Sequence, residues 1–215
     1  MSREVRYRRS SAEGTAQPPS DMVQYVSPHP GLEGPGATFA SVATALGAHG
    51  DIGKKVLSTL GVSELVAGEW YPLQLLLDVL KGVAQATGDH TLLGIGKAIV
   101  DHAVWPAMPP TMVDALQLID VAYHMNHRLD GEVMFDPATG VMREGIGHYR
   151  CHPEKHQIIM VCDTPYPSEL DRGILLGTAR RAASRGVRPR VDVVLDESRP
   201  SRKRGADSCT YRVTW

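Results

Sequence analysis

The stretch Ser201-Arg-Lys-Arg-Gly-Ala-Asp-Ser-Cys209-Thr-Tyr-Arg-Val-Thr-Trp215 decides the fold, because it predicts a turn followed by a closing β-strand. Gly205 and Asp207 are residues that favour turns. The β-branched residues and Tyr211 after them suit a pleated, half-buried surface. We expect Trp215 to pack against the sheet, because a frayed end would leave a large apolar ring in water.

Working outward from this strand, the hydrophobic period changes near Gly131. From Ala37 to about Asn126 the apolar residues recur at helical spacing. One helix should begin after Pro72, another should be capped by Thr111 with Asp114, and a later one should run from Ser168 to near Gly186. Strands are predicted at Val141–Arg150, Gln157–Cys162, Val187–Leu195 and the C-terminus. The fold class is therefore α+β: an N-terminal helical layer packed on a C-terminal antiparallel sheet, with one long helix inserted between strands.

The first 36 residues have a different composition from the rest. They are polar and rich in Pro and Gly, so they should not bury enough apolar surface to offset the entropy of ordering. We predict a flexible leader at 1–36 and a single ligand-binding domain at 37–215. A chain starting near Ala37 should then keep its melting temperature.

Composition excludes several classes of function. The 215 residues carry a net charge of −1, and nearly half of the Lys and Arg lie between Arg172 and Arg212. We interpret this basic region as a solvated face rather than a nucleic-acid site, because the overall pI is not basic. The sequence shows no secretory signal and no apolar run of membrane length, and three cysteines do not make a disulfide framework. A cytoplasmic protein without a membrane or nucleic-acid partner is the natural expectation.

Two groups of residues could hold a metal ion. His148, Cys151, His152 and His156 are dense in the sequence, but on a strand Cys151 would point away from the two flanking histidines. Cys162 and Cys209 supply only two soft donors, too few for a closed tetrahedral site. We therefore predict no bound metal and no stoichiometric zinc after purification.

No catalytic motif is present, so we predict that the protein is not an enzyme and has no catalytic residues. Gly94-Ile-Gly-Lys97 lacks the preceding strand of a phosphate loop and instead indicates close helix packing. The best candidates for a binding site are aromatic and histidine residues that could line an apolar pocket. The predicted ligand-binding residues are Trp105, Tyr123, His124, His127 and Tyr149. The alternative for His124 and His127 is capping of a helix C-terminus.

Four stretches resemble a superfamily that includes the four-vinyl-reductase-type ligand-binding domains and the haem-nitric-oxide-binding domains. In the first group a Cys, three residues, Gly, three residues and a second Cys precede a closing strand. Gly205 and Cys209 match this frame, and Ser201 stands at the first Cys. The other stretches are Glu69-Trp-Tyr-Pro-Leu73, Gly145-Ile-Gly-His-Tyr149, and Val161-Cys-Asp-Thr-Pro-Tyr-Pro167 followed by Asp171-Arg-Gly173.

This resemblance implies a bacterial α/β ligand-binding domain with a pocket between helices and sheet, often dimeric. In the haem-binding branch, a Tyr-x-Ser-x-Arg signature holds the propionates. Here Tyr166 and Ser168 match it, Leu170 replaces the Arg, and His102 has the rough position of the proximal ligand. Because a guanidinium is needed to pair with a carboxylate in this way, we predict no bound cofactor.

The sequence therefore favours a cytoplasmic sensor module that binds a small apolar or aromatic ligand and signals through a homodimer or a partner protein. Two alternatives remain open at this point: a structural or interaction protein of the same fold with a filled core, and a haem-based gas sensor.

Overall fold

The computed structural model describes residues 24–46, 50–62, 65–103, 105, 109–183 and 190–215. Six α-helices lie in these ranges: α1 (Gly36–Leu46), α2 (Gly50–Thr59), α3 (Leu73–Thr87), α4 (His90–His102), α5 (Met112–Met125) and α6 (Ser168–Ala183). The strands are β1 (Leu32–Pro35), β2 (Trp70–Pro72), β3 (Arg128–Leu129), β4 (Glu132–Val133), β5 (Phe135–Asp136), β6 (Val141–Met142), β7 (Tyr149–Pro153), β8 (Ile158–Cys162), β9 (Asp192–Leu195) and β10 (Cys209–Thr214). A short 3-10 turn covers Arg202–Arg204.

The C-terminal strands form an antiparallel sheet in the order β7-β8-β10-β9. The closing strand β10 is central, because it pairs with β8 on one side and β9 on the other. Its side chains alternate, with Cys209, Tyr211 and Val213 buried on one face. Helix α6 follows β8 and precedes β9 in the chain, and it packs on this sheet. The predicted α+β architecture, with one long helix inserted between strands, is confirmed.

The helical layer begins where the sequence indicated. Helix α3 follows Pro72, whose missing N–H costs nothing at a helix start. Seven side chains of α3 are buried, as expected for a helix that is apolar on more than one face. At the start of α5 the Thr111 side chain accepts a hydrogen bond from the Asp114 N–H, which confirms the predicted cap.

Glycines bring α4 and α6 into direct backbone contact. A Cβ on Gly96 would lie 2.3 Å from the Leu170 carbonyl oxygen, and one on Gly173 would lie 2.3 Å from that of Leu93. The packing interpretation of Gly94-Ile-Gly-Lys97 is thus confirmed for Gly96, whereas Gly94 has no atom within 4 Å of such a Cβ. This contact closes the space between the two helices.

The leader prediction was wrong at its C-terminal end. Residues 32–35 form β1, an interior strand of a second antiparallel sheet ordered β2-β1-β3-β4, and Leu32 is buried. Gln24 also accepts hydrogen bonds from the backbone N–H and the hydroxyl of Ser168. A chain starting at Ala37 would lose these contacts, so the expected tolerance cannot extend that far. Residues 1–23 lie outside the described part of the chain.

Three further expectations need correction. The strand predicted at Val141–Arg150 is divided between β6 and β7, because Gly145 and Gly147 adopt positive φ angles of 112° and 83° that interrupt a strand. Trp215 is 49% exposed rather than packed against the sheet. Strand pairing ends at Thr214, opposite Asp192, so the following ring has no strand beside it. The strand predicted at Val187–Leu195 begins at Asp192, and residues 187–189 lie outside the described ranges.

Among the described residues, no helix combines the length and the apolar composition needed to cross a bilayer.

Candidate functional site: a buried histidine and tyrosine cluster

The fold brings together four of the five predicted ligand-binding residues. Tyr123 and His124 lie on the last turn of α5, and His127 follows two residues after the helix ends. Tyr149 begins β7, which packs against that helix. The ring centre of Tyr123 is 5.4 Å from that of His124, 4.2 Å from that of His127 and 5.6 Å from that of Tyr149. All four side chains are buried. The interface between α5 and β7 therefore contains a group of buried aromatic rings in mutual contact.

The fifth residue, Trp105, lies elsewhere. Its indole N–H donates to the Val100 carbonyl at the end of α4, and the Arg181 guanidinium lies over its ring at 5.4 Å. This pairing places Trp105 beside α6. Trp105 makes none of the ring contacts that join Tyr123 to His124, His127 and Tyr149. The signal behind its selection was only an aromatic side chain near a helix end, which does not specify a neighbour.

One part of the buried group is saturated with hydrogen bonds. The Tyr123 hydroxyl donates to the Ile146 carbonyl at 2.6 Å. His127 donates from Nδ1 to the Tyr123 carbonyl, and its Nε2 accepts from the Tyr166 hydroxyl at 2.8 Å. Burial lowers the pKa of His127 to about 4, so the imidazole is neutral and caps the helix end without a positive charge.

A buried carboxyl group on α6 also has hydrogen-bond partners within the protein. Asp171 is fully buried and accepts from the Tyr149 hydroxyl at 2.5 Å and from Thr164 Oγ1 at 3.2 Å. Burial raises the pKa of Asp171 to about 7, although these hydrogen bonds act in the opposite direction. We call the six residues with these shared contacts the tyrosine network: Tyr123, His127, Tyr149, Thr164, Tyr166 and Asp171.

A second group, which we call the histidine–aspartate cluster, consists of Asp120, His124 and His148. Asp120 and His124 are one turn apart on α5, and His148 directly precedes β7. One potential ligand atom from each residue lies within 4.8 Å of the other two. The His148 ring bridges two carboxylates: Nδ1 is 2.9 Å from Asp120 Oδ2, and Nε2 is 3.0 Å from Glu144 Oε2. Burial lowers the pKa of His148, but these two partners outweigh it and raise the pKa overall.

His124 differs from every other ring in the region. Its side chain is fully buried, and its Nδ1 lies 2.8 Å from the Asp120 carbonyl oxygen. A carbonyl only accepts, so Nδ1 carries the proton and Nε2 presents a lone pair. No described group makes a hydrogen bond to that Nε2. A buried polar atom without a partner costs free energy, and a bound ligand is one way to offset that cost.

Sequence reasoning missed several members of these groups. His148 was considered with Cys151, His152 and His156, but the structure separates them: His148 faces α5, whereas His152 lines a surface cavity. Asp120 could have been found, because it lies one turn before His124 on the same helix face. Asp171 belongs to a stretch that resembles the superfamily, and no local signal shows that it contacts Tyr149.

The cysteines and the cavities lie apart from the histidine–aspartate cluster. Cys162 and Cys209 face each other across β8 and β10, and both are buried free thiols whose pKa is raised by burial. A cavity of about 440 Å³ opens on the outer face of the sheet beside Ile159 and Thr210. Another, of about 630 Å³, lies between α2 and α3. Neither is lined by the residues of the cluster or of the tyrosine network.

Comparison with known proteins identifies the fold. No family model matches the chain, and no curated protein matches it. Solved structures do: an H-NOX protein from S. oneidensis in the Fe(II)NO ligation state matches with a TM-score of 0.59 at 14% identity, covering 83% of this chain and 97% of that one. The unliganded Fe(II) H-NOX protein from K. algicida matches with a TM-score of 0.55 at 13% identity, covering 84% and 95%. The haem-nitric-oxide-binding-like fold is thereby confirmed, and the four-vinyl-reductase link stays a prediction.

The residues of this chain do not fit the haem that the fold implies. The Tyr166 hydroxyl is engaged by His127, the Ser168 hydroxyl donates to Gln24, and Leu170 is buried in the core. His102 is exposed, and its Nδ1 is bonded to a backbone carbonyl of its own helix. We therefore assign no role to haem.

Proposed function

We propose that this protein is a small-molecule-binding module of the sensor type, which has kept the H-NOX fold and carries out no catalysis. The observation that supports this most strongly is the buried His124 ring, packed among aromatic side chains with one nitrogen unpaired. Buried polar side-chain atoms without a partner are uncommon in folded proteins, and a bound ligand is one explanation for them. The proposed ligand is a small aromatic molecule with one hydrogen-bond donor, which would stack on these rings and donate to Nε2.

The absence of catalysis is part of the proposal and rests on the state of the nucleophiles. Burial raises the pKa of Cys151 to about 11 and raises that of Cys162 and Cys209, so none of the described thiols is a thiolate at neutral pH. The Ser168 hydroxyl donates to an amide oxygen rather than to a base. Any signal would then pass through a second copy or a cytoplasmic partner protein.

A second candidate, a structural or interaction protein with a filled core, is favoured by one specific observation. Each tyrosine hydroxyl of the tyrosine network has an internal hydrogen-bond partner. A core of this kind needs no ligand to complete it.

Native mass spectrometry and thermal unfolding distinguish the two candidates. The sensor proposal expects either a retained small molecule or an increase in melting temperature with phenol, indole or naphthol. The same increase should occur in His102→Ala, a matched exposed histidine on α4, and should be lost in His124→Ala. A protein without retained mass whose melting temperature is unchanged by all three compounds would be the filled-core protein instead.

A further inference from the structure

The histidine–aspartate cluster combines three donors that metal ions bind, drawn from two separate elements of the fold. Asp120 and His124 come from α5, and His148 comes from the loop before β7. The two imidazole ring centres lie 4.7 Å apart. Nitrogen and carboxylate oxygen donors in this combination suit zinc and related divalent ions.

The hydrogen bonds around the three donors orient them in the way that metal ligands require. The Tyr149 backbone N–H donates to Asp120 Oδ1 at 2.9 Å, which leaves Oδ2 directed at His148 Nδ1. The other nitrogen of His148 is held by Glu144, and the other nitrogen of His124 is held by a backbone carbonyl. Ligating histidines usually have such a second partner, because it determines the tautomer and the ring orientation.

The unpaired nitrogen of His124 is an independent observation that points to a ligand. A helix that needed only an ion pair between Asp120 and His148 would not require a third, fully buried imidazole beside them. His124 Nδ1 lies 3.5 Å from Asp120 Oδ1, and the ion would bind the Nε2 lone pair that no described group satisfies.

We propose that Asp120, His124 and His148 bind one divalent transition-metal ion of the zinc class, with Glu144 as the positioning residue for His148. Ligand atoms around a tetrahedral zinc with bonds of about 2.0–2.1 Å are roughly 3.3 Å apart. The 2.9 Å contact between His148 Nδ1 and Asp120 Oδ2 would therefore open only slightly to admit the ion. The exposed Glu144 side chain marks the edge through which the ion would enter.

Three protein ligands leave one coordination position for water or a small ligand. This inference goes beyond the proposed function, because the ion requires no aromatic ligand. The ion would take the Nε2 lone pair of His124 to which such a ligand would otherwise donate, so the two cannot bind His124 together. It also replaces the sequence-based expectation of a metal-free protein, which considered only the cysteines and the histidines near them.

Titration with Co²⁺ tests the site directly. The full chain, without a polyhistidine tag, is treated with a chelator and dialysed, and Co²⁺ is added while visible absorption is recorded. We expect one Co²⁺ per chain, with d–d bands and no thiolate charge-transfer band. That band would instead place the ion on Cys162 and Cys209 and would overturn the proposal, as would the absence of binding by the wild type.

Variants then assign the ligands. Asp120→Asn and His124→Ala should lose binding, and Glu144→Gln should weaken it by about 10- to 100-fold, the usual effect of removing the partner of a ligating histidine. His152→Ala is the matched control, because this exposed histidine lies on β7 outside the cluster, and it should bind as the wild type does. If His124→Ala does not fold, as judged by circular dichroism, His148→Gln serves in its place. Unchanged affinity in the ligand variants would refute the site.

Discussion

The tyrosine network and the histidine–aspartate cluster lie side by side on helix α5 and at the start of β7, yet they use their polar atoms in opposite ways. In the network, each of the three tyrosine hydroxyls has a protein partner. In the cluster, one fully buried nitrogen has none. Groups that satisfy each other specify a core, whereas a group left over costs stability unless a ligand uses it. We therefore expect the network to govern stability and the cluster to govern binding.

The largest expected effect tests the structural role of the network. Tyr123→Ala removes the ring that contacts His124, His127, Tyr149 and Tyr166. It should lower the free energy of unfolding by about 3–5 kcal/mol, the range for deleting a large core aromatic. Urea unfolding monitored by circular dichroism measures this loss. Trp105→Ala is the control, and a loss of similar size there would mean that the network is not the special part of the core.

The sequence predicts contacts between residues that are close together in the chain, but not contacts between residues that are far apart in it. The α5 helix, its Thr111 cap and the position of His124 and His127 at its end follow from local spacing and were predicted. The strands β8 and β10 follow from alternation and turns, but their pairing does not. By contrast, Asp171 and Tyr149 are 22 positions apart, and Asp120 and His148 are 28 apart. Their contacts depend on how the helices pack on the sheet, which periodicity does not specify.

The burial of Trp215 and of Leu32 also depends on contacts that local sequence does not specify. Trp215 has the correct alternation to lie on the buried face of β10. The neighbouring strand β9, however, extends only to Asp192, which pairs with Thr214, so Trp215 has no paired residue beside it. Leu32 is a single apolar residue among Pro and Gly, and only its pairing with Leu129 makes it part of the core. In both cases the neighbouring strand decides the burial.

A smaller effect should come from the buried carboxyl group of the network. The pKa of Asp171 is raised from about 3.8 to about 7 by burial, so between these values the folded protein binds more protons than the unfolded chain. Stability should therefore fall as the pH rises through this window, by roughly 2–3 kcal/mol between pH 5 and pH 8. The comparison is with Asp171→Asn, whose urea midpoint should lack this decline. Parallel pH profiles for the two proteins would contradict the assignment.

His127 should produce a dependence of opposite sign. Its pKa is lowered from 6.5 to about 4 by burial, so the unfolded chain binds the additional proton between these values. Stability should therefore decrease as the pH falls below 6.5, by on the order of 2 kcal/mol at pH 5. His127→Gln should remove this acid-side loss. His102→Gln is the exposed control, and it should leave the profile of the wild type unchanged.

The smallest expected effect separates an unpaired atom that only costs stability from one that binds. Thr178 Oγ1 on α6 is also buried without a described partner, but it lies outside the histidine–aspartate cluster. Thr178→Val replaces the hydroxyl with a methyl group of similar shape and removes the desolvation penalty, so it should stabilise the protein by about 0.5–1 kcal/mol. Its Co²⁺ titration should match that of the wild type, in contrast to His124→Ala. If Thr178→Val weakened metal binding as strongly as His124→Ala, the unpaired nitrogen of His124 would not identify the metal site. The removal of any buried unpaired atom would then have the same effect on binding.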